Sequence, residues 1–168
     1  MKTIRLITLM SAFFGVLSCS QAQKNNADVS DASSDATPRQ VDRSDAEWKQ
    51  LLTAQEYYVL REAGTERPFS SPLNTNKKSG IYVCAACKTP LFSSDTKFES
   101  GTGWPSFYKP LYAKNIQEKT DRSMGMARTE VLCEVCGGHL GHVFDDGPKP
   151  TGLRYCLNGV ALNFKPKK

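Results

Sequence analysis

At 168 residues, 39% hydrophobic and 23% charged, the chain has the composition of one globular domain with tails. Its net charge of +5 is scattered, with no basic run longer than Lys77-Lys78 or Lys167-Lys168. Without a clustered basic stripe, no nucleic-acid partner is expected.

Residues 1–18 have the form of a secretion signal. Lys2 and Arg5 make a positive start, and Ile4 to Leu17 is almost uninterruptedly apolar or small. That run is short of the roughly 20 residues a membrane span needs. Val16-Leu17-Ser18-Cys19 resembles the lipobox of bacterial lipoproteins. On that reading Cys19 is lipidated, and the protein is exported and membrane-anchored, in the periplasm or at the cell envelope. Cleavage near Gln21-Ala22, leaving a soluble protein, is the alternative. Residues 19–43 are Ser, Asp, Ala, Asn and Gln with few apolar side chains. They cannot bury enough surface to offset their ordering entropy and read as a disordered polar tether.

The folded domain is assigned to residues 44–168. Ser44-Asp45-Ala46-Glu47 and Thr53-Ala54-Gln55-Glu56 both have capping-box spacing, so two short helices are predicted, the second ending at Gly64. Beyond Pro68 helical periodicity fades. Ile81-Tyr82-Val83, Lys97-Phe98-Glu99, Glu130-Val131-Leu132, His142-Val143-Phe144 and Tyr155 to Phe164 read as strands between Gly, Pro, Asn and Asp turns. Met124-Gly125-Met126 belongs to a further strand or its turn. The expected class is mainly β.

Four of the six cysteines form two C-x-x-C pairs, Cys84/Cys87 and Cys133/Cys136. Two such turns supply the four thiolates of a structural Zn2+ site with no open coordination position. The 45 residues between the pairs (88 to 132) make the ion a staple across a long loop. Two structural disulfides are the main rival in an exported protein, and a redox C-x-x-C is a weaker one, since neither pair opens a helix after a strand.

Cys156 is then left over. If Arg154 to Phe164 is one strand, Arg154, Cys156 and Asn158 share a face, which Val160, Leu162 and Phe164 continue into the core. A cation two residues away favours the thiolate, the reactive form, and Asn158 can hydrogen-bond a polar substrate. His139 and His142 are the only histidines. Three apart on a strand, they reach one site only if Gly141 permits a bulge or turn. Trp104, in Ser100-Gly101-Thr102-Gly103-Trp104-Pro105-Ser106-Phe107, offers an apolar wall.

These residues resemble the B-type methionine-R-sulfoxide reductases. The matching pieces are Cys84 to Cys87 with Pro90-Leu91-Phe92, Ser100 to Phe107, Cys133 to Phe144, Asp146-Gly147-Pro148, Pro150-Thr151-Gly152 and Arg154 to Asn158. The likeness spans about Ser44 to Phe164. It implies a β-tent: two small antiparallel sheets, short N-terminal helices, and a structural zinc site remote from the nucleophile. It further implies Cys156 as nucleophile, Trp104 against the sulfoxide methyl, and His139, His142, Asp146 and Asn158 as polar residues of the site, His142 giving the proton. Arg154 is expected at the substrate. Oxidised proteins would be the substrate and a thioredoxin-like protein the reductant. Many members of that family carry a resolving cysteine where this chain has Thr102, so direct reduction of Cys156 by an external thiol is expected.

Three other classes fit parts of the pattern. A zinc-stabilised binding module needs no Cys156, a cysteine hydrolase would pair Cys156 with a histidine as base, and a thiol-disulfide oxidoreductase needs a second cysteine where Thr102 stands.

Overall fold

The computed structural model describes residues 39–123 and 125–168; the signal, Cys19 and nearly all of the tether lie outside the described residues. Two helices lead, α1 (Asp45–Leu51) and α2 (Ala54–Glu62), each opened by a complete capping box from Ser44/Glu47 and Thr53/Glu56. The second helix ends one residue before the expected glycine, with Ala63 itself in the left-handed region at φ 53°. Gly64 is needed for another reason: any Cβ there would sit 2.3 Å from the Tyr58 ring.

Nine strands follow among the described residues: β1 (Gly80–Cys84), β2 (Pro90–Ser93), β3 (Lys97–Phe98), β4 (Ser106–Phe107), β5 (Ile116–Asp121), β6 (Arg128–Cys133), β7 (His139–Phe144), β8 (Arg154–Leu157) and β9 (Leu162–Pro166). They make a three-stranded sheet, β2-β1-β9, and a six-stranded sheet, β3-β4-β8-β7-β6-β5, antiparallel at every pairing. Pro90 and Pro166 sit at the ends of the edge strands β2 and β9, where a missing N–H costs no ladder bond. Arg39 and Val41 fasten onto the Cys133–Cys136 turn through Val41 N–H to Val135 O and Arg39 to Glu134 O. The packed part therefore reaches upstream of Ser44.

The expected strand from Arg154 to Phe164 is two strands. The chain leaves the large sheet after Leu157, turns through a 3-10 segment at Gly159–Ala161, and enters the small sheet at Leu162. Arg154 and Cys156 still share a face, but the alternation stops before Asn158, so Val160, Leu162 and Phe164 do not continue it. The apolar run read as one strand because both halves are buried, each in a different sheet.

An aromatic stack joins the sheets. Tyr82 of β1 meets Phe107 of β4 at 4.9 Å between centroids and Phe164 of β9 at 5.0 Å; Phe92 of β2 meets Phe107 at 4.7 Å and Tyr155 of β8 at 5.6 Å. Trp48, Val59 and Leu60 of the helices close the same core. Phe107 is fully buried at the centre of this stack. Replacing it with alanine is expected to cost about 3–5 kcal/mol in denaturant unfolding, the transfer term plus the cavity; a loss under about 1 kcal/mol would mean the stack is not the joint between the sheets.

Candidate active site

Cys156 lies on β8, flanked by β4 and β7. The register sets Cys156 opposite His142 on one side and opposite Ser106 on the other. Directly paired residues of antiparallel strands put their side chains on the same face, so the imidazole and the thiol share one. The register slips between Val131/Leu132 on β6, leaving Leu140 as the extra residue of β7. Gly141 beside it packs so closely on β8 that a Cβ would stand 2.1 Å from the Cys156 carbonyl oxygen. This bulge turns His139 toward His142, and the two rings are 5.5 Å apart.

The two histidines are not equivalent. His142 lines the pocket around Cys156, with Nε2 2.8 Å from Asp121 Oδ2. His139 is 3% exposed and does not line that pocket; its Nδ1 meets Glu130 Oε1 at 2.6 Å and its Nε2 is buried without a partner. Burial pushes the His139 imidazolium below its ordinary range, with Glu130 working against that shift. Hydrogen bonds from Ser123, His142 and Arg128 hold the Asp121 carboxyl well below the usual carboxylate range.

The pocket has a volume of about 130 Å³, with Thr65, Trp104, Arg128 and Phe144 in its wall beside His142 and Cys156. That is well under the roughly 300–1,000 Å³ of small-molecule and cofactor sites and suits the end of one side chain. A larger groove, about 480 Å³, lies along the small sheet between Gly80, Ile81 and Lys165, but neither a cysteine nor a histidine reaches it. The chemistry-bearing groups converge on the small pocket, and the candidate site is there.

Arg154 stands beside Cys156 but is held from outside the pocket. Its guanidinium makes two bonds to Asp146, Nε to Oδ1 at 2.8 Å and an Nη to Oδ2 at 2.9 Å, and lies 4.4 Å from the centroid of the Phe144 ring. This bond keeps the Asp146 carboxyl low and the guanidinium high. Asp146 itself is largely exposed and touches the site only through Arg154. Asn158 is 3% exposed, and its amide is engaged with main chain: Oδ1 accepts from Glu66 N–H at 2.9 Å and Nδ2 donates to Leu140 O at 3.2 Å. The Trp104 indole N–H donates to Glu66 O at 3.2 Å. Thr102 Oγ1 is 3.7 Å from Cys156 Sγ.

Sequence reading missed Asp121, Arg128, Glu130 and Glu66. The first three pair with histidines or each other across β5, β6 and β7, and β5 went unread because Ile116–Asp121 is nearly all polar. Glu66 lies in a loop with no periodic signal, and only its 5% exposure marks it out.

The second cysteine group forms as the spacing suggests. Cys84 and Cys133 end β1 and β6, and each opens the same turn: Lys88 N–H bonds back to Cys84 O at 2.9 Å, and Gly137 N–H to Cys133 O at 2.8 Å. The following residues repeat the match, with Cys84 N–H bonded to Thr89 O and Cys133 N–H to Gly138 O. All four Sγ atoms lie within 4.8 Å of one another, Cys84 and Cys136 at 3.8 Å and Cys87 and Cys133 at 3.5 Å. A tetrahedron with Zn–S of about 2.3 Å has edges of about 3.8 Å, so the donor set fits a metal ion. A disulfide needs about 2.05 Å, and all five described cysteines are free thiols.

Residues 52–166 match the family described as the SelR domain. The peptide methionine sulfoxide reductase MsrB of Methanosarcina barkeri is 59% identical over 128 residues, 76% of this chain and 90% of its own length. That of Agrobacterium fabrum is 54% identical over 133 residues, 79% of this chain and 98% of its own. The MsrB of Pseudomonas putida is 53% identical over 129 residues, 77% and 97% of the two chains. The paired thiol turns, the cysteine facing a histidine and the matched length agree: the chain belongs to the MsrB family of peptide methionine sulfoxide reductases.

Proposed function

We propose that this chain reduces methionine-R-sulfoxide within proteins to methionine, with Cys156 as nucleophile. The observation that carries the reading is the strand register that sets His142 opposite Cys156 across a pocket walled by the Trp104 indole. The Cys156 thiolate attacks the electrophilic sulfur of the sulfoxide. His142 gives a proton to the departing oxygen, which ends on the Cys156 sulfur as a sulfenic acid. The substrate sulfur gains two electrons and leaves as a thioether; the cysteine sulfur loses two. His139, driven toward its neutral form by burial, supports His142 rather than supplying the proton. The Trp104 ring packs on the substrate methyl, and Arg154, steadied by Asp146, keeps a fixed cation near Cys156.

Regeneration falls to an external thiol. Thr102 Oγ1 stands 3.7 Å from Cys156 Sγ and cannot form a disulfide, while the four remaining described cysteines face one another in the metal-type cluster. A thioredoxin-like dithiol would return Cys156 to the thiol, releasing water and leaving as a disulfide. Cys84, Cys87, Cys133 and Cys136 would hold one structural Zn2+, which joins the ends of β1 and β6 and takes no part in the reaction. The lipobox-like Val16-Leu17-Ser18-Cys19 supports an exported, lipid-anchored enzyme that repairs oxidised envelope proteins. Cys19 would be the attachment point.

Three measurements test this. With dithiothreitol as reductant, peptide-bound methionine-R-sulfoxide should turn over and the S epimer should not, and Cys156→Ser should abolish turnover. A folded protein inactive on both epimers would favour the binding-module reading. Zinc chelation should lower the melting temperature by ten degrees or more, since the loss opens both thiol turns; an unchanged melting curve would refute a structural ion. In an NMR titration His139 should stay neutral on acidification past its ordinary value of 6.5; a value above that would reverse the roles of the two histidines.

A further inference from the structure

Glu66 is a buried carboxylate with no ion-pair partner among the described residues, and its polar groups are spent on Trp104 and Asn158 of the Cys156 pocket and on the turn at Gly159 and Val160. One carboxylate oxygen accepts from Gly159 N–H at 2.6 Å and the other from Val160 N–H at 2.9 Å. Its own N–H donates to Asn158 Oδ1 at 2.9 Å, and its carbonyl accepts the Trp104 indole N–H at 3.2 Å. Burying a carboxylate is costly unless hydrogen bonds satisfy it. Here the N–H groups that satisfy it open the turn by which the chain leaves β8, three residues beyond Cys156.

We infer that Glu66 is the positioning residue of this active site: it ties the backbone after the nucleophile, the Asn158 amide and the Trp104 indole to one rigid point. The inference rests on the reductase reading and deepens it. Three segments far apart in sequence (residue 66, residue 104 and residues 158–160) are tied together by this side chain and its peptide groups. Asn158 then locks the assembly to β7, since its Nδ2–H and its main-chain N–H both donate to Leu140 O, at 3.2 and 2.8 Å. Leu140 is the bulged residue that turns His139 toward His142. The indole, the thiol strand and the histidine strand thus share one anchor. Glycine at 159 is part of the same arrangement, because a Cβ there would fall 2.0 Å from Ser71 Oγ and 3.2 Å from a Glu66 carboxylate oxygen.

Glu66→Gln tests this with nearly unchanged shape. The amide keeps one acceptor, but its NH2 meets the other backbone N–H donor to donor, so one of the two bonds is lost and the turn shifts. The expected result is a fall in kcat/KM of tenfold or more, carried more by KM than by kcat because the wall holding the substrate methyl moves. In a proton–nitrogen correlation spectrum the Trp104 indole and Asn158 side-chain signals should move, while the indole of Trp48, the only other tryptophan, should not. Glu66→Asp, which retains both acceptors on a shorter arm, should restore part of the loss. A Glu66→Gln protein that melts earlier but keeps wild-type kcat, KM and Trp104 signal would overturn the inference and leave Glu66 a stability residue. Should neither variant fold, exchange in the wild-type protein decides: the Trp104 indole N–H and the Gly159 and Val160 amides should be protected, and an indole exchanging as freely as in solvent would refute the anchor. A wild-type protein without sulfoxide turnover would defeat the reductase reading, whereas these resonances would still decide what Glu66 holds.

Discussion

The pocket depends on how two sheets of unequal size are held face to face. The nucleophile's strand belongs to the large sheet, and six residues after Cys156 the chain is already in the small one. Any slide of one sheet on the other would drag that crossing, and the thiol with it. Two joints prevent the slide. The aromatic stack of Tyr82, Phe92, Phe107 and Tyr155 fills the space between the sheets, and the matching thiol turns at the ends of β1 and β6 meet sulfur to sulfur. The stack resists compression, and the thiol cluster would fix position on binding an ion, because four donors around one ion tolerate little displacement. The crossing itself is pinned from a third direction by a buried carboxylate.

How much of this was legible follows from where each signal is stored. Capping boxes are local, so both helices could be read from Ser44/Glu47 and Thr53/Glu56. The thiol turns are local too, and two equal spacings sufficed to anticipate a shared cluster. Strand β7 was only partly readable: alternation puts His139 and His142 on opposite faces, and the bulge at Leu140 that reunites them shows in the sequence only as a permissive Gly141. The run from Arg154 to Phe164 misled because burial looks the same in either sheet, and the break between them is set by Glu66, some ninety residues upstream. Strands β2, β4 and β5 were missed, being very short or, for β5, polar along a sheet edge. Site residues held by tertiary contact alone, such as Glu66 and Asp121, carry no local mark.

The cysteines divide into two chemical populations, and the division has a consequence for turnover. Four are committed to one another at the sheet ends, in pairs separated by a long loop. The fifth described cysteine stands alone, with the Thr102 hydroxyl 3.7 Å from its Sγ. On the proposed chemistry a sulfenic acid formed there would meet no second thiol among the described residues of its pocket, so its lifetime would be set by how quickly an outside thiol arrives. That would place a demand on the pocket mouth which a two-cysteine site would not face: it would have to admit a methionine side chain first and a protein dithiol afterwards. Cys156 is half-buried rather than sealed, and the arginine beside it is anchored from the solvent side by Asp146. A half-buried sulfur with a fixed neighbouring cation would suit attack by a second thiolate, since that cation draws an incoming anion. With Thr102 in place of a second cysteine, the rim around Cys156, rather than its floor, would govern the second half of the proposed cycle.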